Sequence, residues 1–346
     1  MFGLFRKKQA EPHLRQGVEV GEMRESAINA IQTLTEVDAG FQNVEIGTGL
    51  PDIHLTYRGL RIEALFTRNV LGLSLTTRVP ECNILRAGSV AEKAFAYRCI
   101  DHVCSTCAGV RAQFDPVSGE LVLGVESAGF DRQFRADTLI DVALFMLEEG
   151  VMAARAYLGL PFTQAERPSV SQWLGGFHYG EGFNVYPTAT DAFAVFMRKK
   201  YQAEEVSRDA TSILLASGPL RFDVRFFGWR FGYMIETATR GFRHAVMDDG
   251  RYVRIQERLA QSVREPGNAG DSGWNFRDPA GSAIAYFRPD GTFVVGEYGF
   301  GNAKTEENGA AFERVATRHL LNMRYMTFLA EELPEDLYSD ESNRPN

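Results

Sequence analysis

Thiols are the residues of this chain best placed to do chemistry. The four cysteines are Cys82, Cys99, Cys104 and Cys107, and three of them crowd into one short stretch that also holds His102. The pattern Cys99-x4-Cys104-x2-Cys107 has the internal spacing of loops whose thiolates hold an iron–sulfur cluster, and thiolates so spaced can also gather zinc. Two properties oppose that reading. Such sites use a loop, whereas Ser89–Ala108 continues a helical pattern. On a helix Cys104 and Cys107 share a face, while Cys99 lies about 500° back from Cys104 at roughly 100° per residue. The remaining thiol, Cys82, lies upstream of the group instead of far downstream. A dithiol redox pair at Cys104 and Cys107 lacks a thioredoxin-like βαβ setting. Buried structural thiols are the leading reading, and a metal- or redox-active protein using Cys99, Cys104 and Cys107 is the alternative.

The other reactive types form no working constellation. Lys304-Thr305 precedes a helical pattern, but no glycine stands directly before the lysine, as a phosphate-binding loop requires. Gly47-Thr48-Gly49 leads into a proline and a strand, where a dinucleotide loop would open a helix. His13, His54, His102, His178, His244 and His319 include no close pair and no H-E-x-x-H. There is no G-x-S-x-G elbow for acyl transfer. Glu148-Glu149 and Glu204-Glu205 are adjacent and so point apart on a helix, and Asp248-Asp249-Gly250 is turn chemistry. No catalytic residue, no cofactor and no metal ligand is therefore assigned.

A surface for a partner is better supported. Phe222, Val224 and Phe226 alternate with Arg221, Asp223 and Arg225, and Phe227, Trp229, Phe231 and Tyr233 follow. One face of such a strand covers a core, and the other is more apolar than a wet face needs. Phe222, Phe226, Phe227, Trp229 and Phe231 are the candidate partner-binding residues, binding an apolar peptide or closing a dimer. The competing reading is internal packing.

The elements that would position these residues follow from periodicity. Apolar spacing predicts a helix over Gly21–Asp38, with Gly40 as its stop. Period-two segments at Asp52–Arg58, Arg61–Phe66 and Leu71–Thr76 predict an antiparallel meander. A helix follows over Ser89–Ala108, with Ser89 and Glu92 as a capping box. Then come a hairpin at Val110–Phe114 and Glu120–Val125, and a helix over Arg135–Leu158 closed by Gly159 and Pro161. The second half repeats this order. Helix Thr190–Val206, strands Ser212–Ala216, Leu220–Phe227 and Trp229–Thr239, helix Gly250–Val263, a hairpin at Tyr286–Gly296 and helix Thr305–Leu329 are expected. The turn sequences Phe114-Asp115-Pro116 and Phe287-Arg288-Pro289 echo one another.

The fold class is α+β, as two tandem copies of a helix–meander–helix–hairpin–helix unit. The expected layout is a flexible segment over 1–20, domains over 21–160 and 188–330, a Gly/aromatic linker over 161–187 and an acidic disordered tail over 331–346. A chain of 346 residues suits two domains. The net charge of −8 argues against nucleic acid as a partner. No apolar run reaches the roughly 20 residues that span a bilayer, so stable membrane insertion is not expected. The start, Met1 to Lys8, places its charges after a tiny apolar stretch, the reverse of a secretion signal, so a cytoplasmic location is expected.

The stretch Leu71-Gly72-Leu73-Ser74-Leu75, the Val79-Pro80 break, the Ser89–Ala108 helix, the Phe114-Asp115-Pro116…Gly119-Glu120-Leu121-Val122-Leu123 hairpin and the Arg135–Leu158 helix together resemble the bacterial YbjN-like and type III secretion chaperone (CesT-like) domains. Gly21–Leu160 carries the resemblance, and Thr188–Leu329 shares only the order of elements. The resemblance implies a non-enzymatic role, binding a polypeptide partner, in a dimer or in a pseudo-dimer within one chain.

Overall fold

A computed structural model of the chain describes residues 24–47, 53–67, 72–128, 136–161, 191–209, 212–217, 220–226, 233–239, 248–262, 283–288 and 292–299, apart from a few positions within these ranges. The fold is α+β, built on two antiparallel six-stranded sheets. The first holds β1 (Phe41–Ile46), β2 (Ile53–Tyr57), β3 (Leu60–Thr67), β4 (Gly72–Asn83), β5 (Arg111–Phe114) and β6 (Glu120–Ala128), in the order β1-β2-β3-β4-β6-β5. The second holds β7 (Glu204–Arg208), β8 (Ser212–Ser217), β9 (Leu220–Phe226), β10 (Tyr233–Thr239), β11 (Ala283–Phe287) and β12 (Phe293–Gly299), in the order β7-β8-β9-β10-β12-β11. Described residues between 24 and 36 are helical (α1), as are those between 191 and 201 (α4). The other helices are α2 (Val90–Thr106), α3 (Ala136–Tyr157) and α5 (Asp249–Ser262). No helix among the described residues is long and apolar enough to cross a membrane.

Local chemistry sets most boundaries. Ser89 accepts a hydrogen bond from the Glu92 N–H, and Glu92 returns one to the Ser89 N–H, so the expected capping box opens α2. Gly159, with φ of 69°, ends α3; its N–H reaches Ala156 O at 3.1 Å while Leu160 N–H reaches Arg155 O at 2.8 Å. Arg58 and Gly59 both have positive φ, 48° and 82°, which makes the β2–β3 link the turn that right-twisted hairpins favour.

Three boundaries depart from the periodicity. Val79-Pro80 does not end β4, which runs on to Asn83; the pairing with β6 instead skips between Val79 and Asn83, as the missing proline N–H demands. The chain enters β1 at Phe41, where no strand was expected, because only Phe41 of that strand is buried and its pairing shifts between Gln42 and Glu45. Helix α4 stops well short of Val206. Gln202 takes a φ of 52°, and Glu204–Arg208 forms β7. All five β7 residues are exposed, so the strand carries no alternation to read.

The two sheets bury matching rows. Leu55, Ile62, Thr77, Leu123 and Ala112 lie side by side across the first sheet; Leu215, Phe222, Thr237, Val295 and Ala285 lie side by side across the second. The same spacing in sequence separates Leu55 from Leu215, Ile62 from Phe222 and Thr77 from Thr237. Both rows carry a buried threonine at the same place. Tyr97 of α2 meets Phe114, the last residue of β5, edge-on at 5.5 Å; Tyr252 of α5 meets Phe287, the last residue of β11, edge-on at 5.9 Å.

One core cluster reaches into both halves, while Ile213, Leu215, Phe222, Val224 and Ile235 of the second sheet are buried outside it. Helices α2 and α3 cover the first sheet, α5 and β11 pack on the free side of α2, and one cluster of buried side chains runs from Leu55 and Leu123 through Ile100 and Leu147 to Tyr252, Phe287 and Val295.

Candidate functional site

Helix α2 is held on one side by α3 and β5 and on the other by α5 and β11, so it is buried around most of its circumference. Within this junction lies Asp101, a carboxylate only 6% exposed. Burying an unpaired carboxylate is costly, and here every hydrogen-bonding partner comes from the second half of the chain. Tyr252 donates its hydroxyl to Oδ2 at 2.5 Å, the Gln256 amide donates to Oδ1 at 3.2 Å, and the backbone N–H of Phe287 donates to Oδ1 at 3.1 Å. The Gln256 amide also lies 3.2 Å from the Tyr252 hydroxyl. Burial pushes the Asp101 carboxyl up to about 7, against the pull of the three donors and of the Arg98 charge.

The cluster continues to the surface. The Arg98 guanidinium sits 5.2 Å from the centre of the Tyr252 ring and pairs with Asp249 at 2.5 Å. Lys93 pairs with Glu257 at 3.2 Å. Burial, together with the adjacent Asp101, pushes the Tyr252 hydroxyl well above the usual range for tyrosine. A second buried polar group lies on β10 and β11, where Tyr286 donates to Glu236 Oε1 at 2.6 Å and Arg288 reaches Glu236 Oε2 at 3.2 Å.

The periodicity did not single out Asp101, Tyr252 or Gln256. One signal was present in α2. Tyr97, Asp101 and Cys104 share a helical face, so an acid stood in a stripe meant for burial. Its partners are some 150 residues away, at separations of 151 and 155, beyond the reach of any local pattern.

All four cysteines are free and buried. Cys99 lies in hydrogen-bonding contact with Cys82, and that contact with burial pushes the Cys99 thiol far up. Burial pushes Cys104 and Cys107 up to about 12. For Cys99, Cys104 and Cys107 these are the properties of protonated, structural thiols, while the same contact with Cys99 lowers Cys82. Among the described residues no group of three or more His, Cys, Asp or Glu side chains is arranged to hold a metal ion. His102 lies beside the Tyr157 ring at 5.3 Å, and burial lowers its basicity.

Of the candidate partner-binding residues, Phe222 is 1% exposed and lies in the buried row of the second sheet, where Ile62 lies in the first. Its alternation with Arg221 and Asp223 therefore marks a core face. Phe226 belongs to β9, paired through its backbone with Tyr233. Phe227, Trp229 and Phe231 lie outside the described residues. Large apolar side chains are exposed elsewhere: Val90, Phe95, Leu85 and Val117, the last two 66% and 85% exposed. Leu85 packs over Gly119 in the hairpin turn that carries Val117, so both lie at one end of the first sheet.

Comparison with protein-family models, with curated proteins and with solved structures finds no match to this chain.

Proposed function

We propose that this chain is a non-enzymatic protein- or peptide-binding module of the secretion-chaperone type, made of two tandem copies of one unit that face each other as a pseudo-dimer. The tandem reading is supported by the shared strand order, the matched buried rows and the two equivalent aromatic pairs. One observation carries the non-enzymatic reading. At the centre of the polar cluster that joins the two halves, Asp101 and Gln256 are each 6% exposed and Tyr252 is fully covered, while Arg98 and Asp249 at its edge reach the surface. The central groups are used up in holding α2 to α5, and a substrate has no access to them.

A partner would then be met by surface. Leu85 and Val117 offer apolar area on turns held by hydrogen bonds to Asn83 and Asp115, which limits the ordering entropy lost on binding. The test is crosslinking of the tagged full chain in the cells it comes from. A polypeptide should be recovered in stoichiometric amount, and recovery should fall about tenfold for the double variant Leu85→Lys, Val117→Lys. Undiminished recovery by that variant, or stoichiometric zinc or iron in the purified protein, would overturn the reading.

A further inference from the structure

We propose that the unlike residues at one matched position, Asp101 and Gln256, decide which helices pair: α2 accepts α5 of its own chain and rejects the α2 of a second copy. This rests on the tandem reading above and does not depend on what the surface binds. The match is read from the two helices themselves. Tyr97-Arg98-Cys99-Ile100-Asp101 and Tyr252-Val253-Arg254-Ile255-Gln256 share the tyrosine, the isoleucine and the spacing between them. Each tyrosine meets the phenylalanine that ends a hairpin strand, Phe114 of β5 or Phe287 of β11, and both isoleucines are buried. Asp101 and Gln256 therefore hold the same place, about one turn beyond the tyrosine. Across the junction α2 meets α5, β5 meets β11 and β6 meets β12. Each element faces its own counterpart, as around a two-fold axis.

At that axis the matched residues touch. The Gln256 amide donates to Asp101 Oδ1 at 3.2 Å, and both side chains are buried. An amide supplies a donor where a second carboxylate has only acceptors. Two α2 helices docked in the same way would bring Asp101 against Asp101, like charges side by side under cover.

The charges at the rim discriminate in the same sense. Lys93 and Arg98 of α2 pair with Glu257 and Asp249 of α5. By the same match, those acids stand where α2 has His102 and Ala94, so a second α2 would leave both cations without an acid. Two α5 helices would set Asp248 opposite Glu257. Exposed pairs are individually weak, so the covered contact between Asp101 and Gln256 carries most of the discrimination.

Hydrogen exchange of the full chain at pH 8 tests the rule. Gln256→Asp gives α5 the residue of α2, and so makes within one chain the contact that two α2 helices would make. Protection over 249–262 should fall roughly hundredfold. Gln256→Ala loses a donor without adding a charge, and should lower protection about tenfold. The swap Asp101→Gln, Gln256→Asp restores an unlike pair and should recover most of the loss. Equal losses in Gln256→Asp and Gln256→Ala, or no recovery in the swap, would overturn the rule. Should Gln256→Asp fail to fold, the exposed pair decides. Arg98→Asp and Asp249→Arg should each lower protection about two- to fivefold, and together they should restore it; losses that simply add would overturn the rule. Exchange of both α2 and α5 as fast as unstructured peptide in the unaltered chain would instead overturn the docking of the halves, and with it the tandem reading.

Discussion

Gly119 illustrates how tightly single positions are specified. Its φ is 73°, and a Cβ there would come within 2.5 Å of Leu85 Cγ and 2.7 Å of Asn83 Oδ1. Around it Asp115 accepts from the Val117 and Ser118 N–H groups at 2.8 and 3.0 Å and pairs with Arg78 at 3.0 Å. Gly119→Ala therefore meets both a left-handed backbone and a filled space, and should cost about 2–3 kcal/mol in urea unfolding. The sequence had shown the turn, Asp-Pro-x-x-Gly, though not the Leu85 lid. The thiols give a second residue-scale prediction. With Cys82, Cys99, Cys104 and Cys107 all buried, a disulfide dye at pH 8 should label none in the native protein at the rate of an exposed thiol, and all four after denaturation. Rapid native labelling of Cys104 or Cys107 would revive the redox reading.

At the scale of elements, the legible boundaries were those written in side-chain chemistry next to the boundary. The start of α2 is one, and Ser89→Ala should cost about 1 kcal/mol by removing the cap while Glu92 remains; thermal unfolding of the variant measures it. The end of α3 at Gly159 is another. The strands that periodicity does not predict, β1 and β7, are edge strands with one buried residue and none. Each pairs along one side only among the described residues, so no second row of neighbours enforces alternation. Their sequences fit a strand only because β2 and β8 offer a free ladder to pair with.

For the whole molecule, the core cluster that reaches into both halves is decisive. A single cluster joins Leu147 on α3 to Val295 on β12, passing through Ile100 and Tyr252. Two separate domains would melt independently, whereas this arrangement couples them. The chain should unfold in one transition when followed by probes in either half. Tyr252→Ala removes a fully buried ring, its edge-on contact with Phe287 and a donor to Asp101. It should cost about 3–5 kcal/mol and split the transition in two. Calorimetry showing one unshifted peak for this variant would mean that the halves are not coupled there.

The amino-acid sequence by itself determined the α+β class, the order of most helices and strands, the hairpin turn and the helix caps. These depend on interactions within a few residues, and periodicity and turn chemistry report such interactions directly. The tertiary structure alone decided that Phe222 faces inward, that the thiols are covered and that Asp101 is met by Tyr252, Gln256 and Phe287. Burial and long-range pairing are properties of what folds over a residue, and no spacing along the chain encodes them.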